Sequence, residues 1–521
     1  MSKAETIIIQ SRRAMLVPQH QCVGANLNGH RYKMVHYNHR DYILLDWSVE
    51  TVRIFAALGL QLETPMRSDY NWPGKYTPYN HQLLTSEFFA CNHRAFCFND
   101  IGTGKTLSAL WAADFLMQRG EVNKVLICST LSTLNRVWED EIFTHFMHRK
   151  AVVLHGSKAR RKRELSIDAD FYIINHAGLK VLQNELLARP DIDLVIADEG
   201  AVFRNKRTGL WTSMYTLAGE HTKKRLWWMT GSPMPKAPTD AWGQAMIVNP
   251  KSVPQYFSRF REQCMYKVTQ FKWVPRRGWE DICYSALKPS IRFQRDDCID
   301  LPECTYVDHP VTMTPQQTLV YQALVDQFLA ELDDDLITAS NEGAKLVKLL
   351  QVACGAVYND QGEVSTVNCD HKIDELNQIM KEVGTKLIVF VPFKHSIQVL
   401  VEWLTNHDID YSYGVVNGDV PMKKRDVIFR DFQEGDLDLL IAHPAAMAHG
   451  LTLTAANTIA WFGPVDNFEI YEQANGRITR PGQTRKQYIK HLICSPVEQV
   501  VYKRLKSKEG MQGLLLDMIK N

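Results

Sequence analysis

Residues 99–106 read NDIGTGKT. Gly102 and Gly104 let the backbone curl so that successive N–H groups converge on one point, while Lys105 brings a cation and Thr106 a hydroxyl. With Thr103 between the glycines, this is the chemistry of a loop that cradles the phosphates of a nucleoside triphosphate, the lysine on the β and γ phosphates and the threonine on Mg²⁺. Asn99 replaces the first glycine of the usual G-x-x-x-x-G-K-[ST] pattern, at a strand end outside the cradle. Such a loop needs a second, acidic strand end. LVIADEG supplies it with four apolar residues, then Asp198 for the metal and Glu199 to orient or deprotonate the attacking water. The cofactors implied are ATP and Mg²⁺, the latter held by Thr106 and Asp198.

These residues need strands and helices to aim them. RAFCF (94–98), VLIC (125–128), FYII (171–174), LVIA (194–197) and LWWM (226–229) are short apolar runs that alternate with helical patterns, the signature of a parallel α/β sheet. Leu107, Leu110, Trp111, Phe115 and Leu116 recur at helical spacing directly after the phosphate loop. A second set of runs comes much later: KLIVFV (386–391), YGVV (413–416), LDLLIA (437–442), TIAWF (458–462) and QYIKHLI (487–493). The fold expected is therefore α/β with two parallel-sheet lobes, a helical insertion between them and a small N-terminal unit. Its boundaries fall at 1–70, 71–245, 246–370 and 371–521, the last ending in a brace helix built on Val497, Val500, Val501 and Leu505.

Composition narrows the class without naming it. The chain has 521 residues, with 60 Lys and Arg against 58 Asp and Glu, so any nucleic-acid contact must come from local basic surface. No apolar run approaches the roughly 20 residues of a membrane span, and a cytoplasmic protein is expected. The 11 cysteines fall without any C-x-x-C, which reads as reduced thiols. Cys298, Cys304 and His309 match no common zinc spacing. KARRKREL (158–165) reads as a solvated helix face. FKWVPRRGW (271–279) interleaves aromatic and basic residues and makes Arg276 and Arg277 candidate DNA contacts.

From about Tyr76 onward the motifs resemble those of the superfamily-two nucleic-acid motor ATPases, and among them the Swi/Snf-type translocases. The short Swi/Snf-like helicases of bacteriophages are the most similar group. The resemblance implies two RecA-like lobes. YTPYNHQ resembles the motif that sets Gln82 on the adenine edge, and STLSTLNRVWEDE resembles the segment whose hydroxyls, here Ser129, Thr130, Ser132 and Thr133, grip a phosphodiester strand. DEGAVFRN is similar to the Swi/Snf acidic motif, with Arg204 and Asn205 in its trailing positions. MTGSP is similar to the coupling motif (Thr230, Ser232), and HGLTLTAAN to a nucleic-acid motif carrying His449 and Thr452.

The most diagnostic stretch is YEQANGRITRPGQ. By the resemblance, Gln473 binds nucleotide, while Arg477 and Arg480, at i and i+3 on one helix face, neutralise charge developing on the γ-phosphate. The sequence departs from the pattern in three places: Asn99, Gly200 with Ala201 in place of the last two residues of DEAH or DEAD, and Lys236 where asparagine is common. The resemblance implies a monomeric ATP hydrolase that moves on duplex or branched DNA. A strand-separating DNA or RNA helicase and an ATP-gated DNA clamp are the alternatives.

Overall fold

The computed structural model describes residues 6–27, 30–60, 62–235, 237–268, 273–298, 302–333, 339–358, 363–407, 411–447, 452–480 and 482–507. The chain divides into two units, 1–298 and 299–521. The stretch 246–370, expected as a body of its own, is shared between them.

The first unit opens with a four-stranded antiparallel sheet: β1 (Ile7–Ile9), β2 (Ala14–Pro18), β3 (Tyr32–Tyr37) and β4 (Arg40–Asp46), in the order β1-β2-β4-β3. Its small core joins Met15, Val17, Ile43 and Leu45 to Val52 and Phe55 of the helix Val49–Ala57. Ser48 caps that helix by accepting from the Thr51 N–H at 3.2 Å.

The main sheet of this unit has seven strands. They are β5 (Arg94–Cys97), β6 (Lys124–Ser129), β7 (Ala151–Leu154), β8 (Phe171–Asn175), β9 (Ile192–Asp198), β10 (Arg225–Met229) and, beyond a small hairpin of β11 (Met265–Lys267) and β12 (Trp273–Pro275), β13 (Ser290–Ile291). The order is β13-β5-β10-β9-β6-β8-β7, and every pairing is parallel. Strands covered on both faces read as unbroken apolar runs, which is why they stand out in the sequence. Two separate cores line the two faces. The helix Lys105–Gln118 lies in one of them and buries Leu107, Leu110, Trp111, Phe115 and Leu116. Its one fully buried charge, Asp114, accepts from Tyr70 Oη (2.7 Å), Gln118 Nε2 (2.8 Å) and Arg149 Nε (2.6 Å), and also bonds His148 Nε2 at 2.9 Å.

The second unit holds a six-stranded parallel sheet: β14 (Cys304–Pro310), then, after the hairpin of β15 (Ala356–Tyr358) and β16 (Val364–Thr366), β17 (Leu387–Phe390), β18 (Tyr413–Val416), β19 (Leu439–Ala442), β20 (Thr458–Trp461) and β21 (Gln487–Ile493). The order is β14-β21-β20-β17-β19-β18. The helices Pro315–Asp333 and Ala339–Ala353 belong to this unit. So does the last described helix, Pro496–Ser507, whose Val497, Val501, Tyr502 and Leu505 enter the unit's own core. Two α/β units with parallel sheets, preceded by a small antiparallel sheet, agree with the fold class read from the sequence. Among the described residues no helix is long and apolar enough to cross a membrane.

Candidate nucleotide site in the first unit

Three parallel strand ends carry the chemistry. β10 lies between β5 and β9, and Met229 is in register with both Cys97 and Asp198. The phosphate loop after β5, Thr230 after β10 and the acidic pair at the end of β9 therefore sit side by side at the carboxyl edge of the sheet, the usual place for a ligand in an open α/β fold.

The loop has the backbone its sequence demands. Gly102 (φ 87°) and Gly104 (φ 78°) lie in the left-handed region, and Gly104 leads directly into the helix Lys105–Gln118. A Cβ on Gly104 would stand 2.0 Å from Gln82 Nε2. Lys105 Nζ donates to the carbonyls of Asn99 (2.8 Å) and Asp100 (3.0 Å), so the cation lies across the loop it would share with a phosphate. Thr103 is buried and its hydroxyl donates to Asp100 O at 2.8 Å. The positive-φ glycines, the helix N-terminus and the lysine fit a triphosphate.

Two side chains brace the loop from behind. Gln82 donates to Thr103 O at 3.3 Å and accepts from the Tyr79 N–H at 2.9 Å, so both ends of the amide expected at an adenine edge are engaged within the protein. His81, which the sequence reading missed, meets the same carbonyl at 2.9 Å. A carbonyl only accepts, so Nε2 carries the proton, and burial holds the ring's pKa below its usual value. Asn99 is buried and bridges two elements: Nδ2 donates to Thr85 Oγ1 at 2.9 Å, and Oδ1 accepts the Phe293 N–H at 3.0 Å. The residue that departs from the motif thus ties the loop to the segment following β13.

Asp198 is held from three sides. Its Oδ2 accepts from Ser129 Oγ (2.7 Å) and Trp138 Nε1 (3.0 Å), and its Oδ1 accepts the Glu199 N–H at 3.1 Å. That leaves lone-pair capacity on Oδ1, which suits a cation. Behind it, buried His176 bonds the Asp198 carbonyl through Nε2 at 2.8 Å. Glu199 sits at φ 49°, a conformation non-glycine residues rarely adopt and one that gathers at functional sites.

The acidic motif reads DEGA for a steric reason. A Cβ on Gly200 would meet Trp228 Nε1 at 2.4 Å, and Trp228 is fixed by a 3.0 Å bond from that nitrogen to Gln244 Oε1. The indole fills the space a side chain would need. Thr230 is buried, and its hydroxyl accepts the Ser232 N–H at 3.3 Å.

Two of the expected nucleic-acid contacts in this unit need correction. Ser129 and Thr133 are buried and share a 2.6 Å hydrogen bond, and Ser129 serves Asp198, so neither hydroxyl faces a nucleic-acid strand. Thr130 and Ser132, on the same turn, are only partly buried. Arg276 and Arg277 are exposed, but Arg276 Nε spans the Glu262 (2.8 Å) and Met265 (3.0 Å) carbonyls and secures the β11–β12 hairpin. Trp273 lies under Arg261, 4.0 Å from the guanidinium to the ring centre, and Trp279 packs on the core.

In the second unit, Arg477 and Arg480 are not on a helix. The helix Phe468–Asn475 stops before them, and they occupy the turn that follows. Arg477 is buried. Arg480 donates from Nε to Gly476 O (3.2 Å) and from Nη1 to Thr452 Oγ1 (3.3 Å). Burial lowers the Arg480 pKa to about 10, which leaves it charged at neutral pH. Thr452, expected on nucleic acid, is exposed and steadies this arginine. Gln473 is buried and donates to Glu469 Oε1 at 3.4 Å. His449 and Lys236 lie outside the described residues.

A glycine-rich loop with its lysine, a buried threonine and an acidic pair thus stand at neighbouring strand ends, an arrangement that suits a bound nucleotide. The SNF2-related domain matches residues 20–357 and the helicase conserved C-terminal domain residues 371–482. The chain belongs to the SNF2-related family and is an ATP hydrolase.

Protein p41 of Acyrthosiphon pisum secondary endosymbiont phage 1 is 26% identical over 468 residues, covering 85% of this chain and 99% of its own length. An uncharacterized ATP-dependent helicase of Bacillus subtilis, YqhH, is 23% identical, over 85% of this chain and 81% of its own. A probable ATP-dependent DNA helicase of Arabidopsis thaliana is 23% identical over 80% of this chain but only 40% of its own. The chain thus spans nearly all of the phage protein and about two fifths of the plant one. The Sulfolobus solfataricus SWI2/SNF2 ATPase core in complex with dsDNA superposes with a TM-score of 0.41 at 20% identity, covering 88% of this chain and 95% of that one.

Proposed function

We propose that this ATPase is a DNA translocase of the Swi/Snf type that couples ATP hydrolysis to movement along duplex or branched DNA. The observation that carries the reading is the convergence of Lys105, Thr230 and the Asp198–Glu199 pair at three adjacent strand ends of the first unit. The names of its relatives, ATP-dependent DNA helicases among them, support DNA as the track.

Lys105 gives up the Asn99 and Asp100 carbonyls for the β and γ phosphates, while Gly102, Thr103 and Gly104 offer backbone N–H groups. Thr106 and the available oxygen of Asp198 would hold Mg²⁺, which would supply charge neutralisation on the phosphates. Glu199 orients the water and takes its proton. Arg477 and Arg480 stabilise charge on the transferred phosphoryl group, Gln473 contacts the nucleotide, and Thr230 with Ser232 relays its state. Gln82 exchanges its internal partners for the adenine edge. Thr130, Ser132, Arg276, Arg277 and His449 contact the DNA backbone, so binding is weakly sequence-dependent and falls steeply with salt. The protein works as a monomer in the cytoplasm, that of the host if it is phage-encoded.

The test is ATP turnover with and without duplex, single-stranded and branched DNA and RNA. Duplex and branched DNA are expected to stimulate best. Lys105→Ala is expected to lose at least about 100-fold in kcat, and Glu199→Gln to bind ATP without turning it over. Near-normal turnover by Lys105→Ala would move the nucleotide site elsewhere.

A further inference from the structure

The residues that follow the N-terminal sheet do not stop at its small core. Val49, Met66 and Tyr70 join a core of the main sheet, beside Phe89 and Leu110. Phe89 lies on the helix Asn80–Cys91, whose first turn sets His81 and Gln82 on the Thr103 carbonyl of the phosphate loop. The Ser86 hydroxyl of the same helix donates at 3.0 Å to Ser108 O, on the helix that follows the loop.

The far end of this helix is finished from the N-terminal side. A helix leaves its last four carbonyls without partners in its own backbone, here those of Phe88, Phe89, Ala90 and Cys91. Asn92 meets the first two, Nδ2 donating to Phe88 O at 2.8 Å and its N–H to Phe89 O at 3.1 Å. Arg53, on the helix Val49–Ala57, meets the other two, Nη2 donating to Ala90 O and Nε to Cys91 O. Its positive charge also suits the negative end of the helix dipole.

Glu87, one turn earlier, is only 7% exposed, and donors from the same stretch take both its oxygens. Oε1 accepts from Thr64 Oγ1 at 2.8 Å, and Oε2 from Arg67 Nη2 at 2.5 Å. A buried carboxylate is costly unless such donors are fixed around it. One end of the helix therefore depends on Arg53, Thr64 and Arg67, and the other, about 13 Å away along the axis, braces the phosphate loop.

We propose that Arg53, Thr64 and Arg67 are positioning residues for the nucleotide site: they hold the helix Asn80–Cys91 from the N-terminal side and so fix His81 and Gln82 against the phosphate loop. The inference rests on the reading of residues 99–106 as that loop. The competing explanation is that these contacts add only to the stability of the unit as a whole.

Two measurements on the full chain separate them. Hydrogen exchange without nucleotide compares residues 99–106 with β7 and β8, and equilibrium binding of the non-hydrolysable β,γ-imido analogue of ATP reads the site itself. In Arg53→Ala, exchange of 99–106 is expected to quicken about tenfold with β7 and β8 unchanged, and the analogue to bind about tenfold more weakly. Arg53→Lys, which keeps a charged donor at the helix end, is expected to recover most of both. Glu87→Gln keeps an acceptor for Thr64 and loses the charge opposite Arg67; it is expected to move both readouts the same way by about threefold, and it carries the test if Arg53→Ala does not fold. Unchanged exchange at 99–106, a rise shared equally by β7 and β8, or unaltered affinity for the analogue would overturn the proposal. If Lys105→Ala binds the analogue as tightly as the unaltered chain, the nucleotide reading fails instead, and exchange at 99–106 alone decides whether the N-terminal contacts hold the loop.

Discussion

At position 99 an asparagine does what the motif's glycine cannot. Its amide joins Thr85 to the Phe293 backbone, and both partners would lose a hydrogen bond in Asn99→Gly. Leaving buried donors and acceptors unpaired costs about 1–3 kcal/mol each, so the variant that restores the motif is expected to unfold at lower denaturant, with a loss of at least about 2 kcal/mol and no gain in ATP affinity. Unchanged stability with tighter ATP binding would show the side chain to be incidental. Gly200 illustrates the same point from the opposite side. The sequence shows only that DEGA lacks two familiar side chains, and Trp228 of the neighbouring strand shows where the space went. A residue 28 positions away cannot be read as a partner until β9 and β10 are known to pair.

Elements were legible where one face, or both, was buried. The long apolar strands and the helix after the phosphate loop announce themselves by period and flank. β13, two residues long, and β14, which adds to the second sheet from a stretch with helix-like surroundings, do not, because each is a strand only through a distant partner. The end of the helix Phe468–Asn475 had a signal: Asn475-Gly476 is a helix stop, and the i, i+3 spacing of the arginines concealed it.

One element also carries a pH dependence. His491 on β21 is fully buried, its Nδ1 2.8 Å from Asp308, its Nε2 2.8 Å from Tyr471 Oη and its ring stacked on Tyr502 at 4.1 Å. Burial lowers its pKa to about 4 against the pull of Asp308, so the ring is neutral, its Nδ1–H donating to Asp308 and its Nε2 accepting from Tyr471. A folded pKa below the unfolded value of about 6.5 means the stability is full above pH 6.5 and is lost as pH falls toward 4, a change on the order of 3 kcal/mol. Thermal unfolding between pH 7 and pH 4.5 should show this fall. His491→Gln should start less stable and lose part of the slope, and an identical slope in the variant would assign the dependence to other groups.

At the scale of the whole molecule, each unit is legible as a parallel α/β body, but the boundary between them is not. The sequence suggests a helical insertion from 246 to 370, whereas the chain divides at 298 and 299, with β13 completing the first sheet and β14 edging the second. Boundaries of this kind are set by pairing between distant strands, which periodicity does not record. The small antiparallel sheet at the start is visible only as one alternating stretch, and its strand order becomes apparent from the pairing of β4 with both β2 and β3.

Displacement of the third strand from a DNA triplex measures ATP-driven movement along a duplex without requiring strand separation. With ATP and Mg²⁺ the protein is expected to release the third strand, and Lys105→Ala to release none, while a plain forked duplex stays paired. Efficient unwinding of a tailed duplex with no release from the triplex would contradict the claim and make this ATPase a strand-separating helicase.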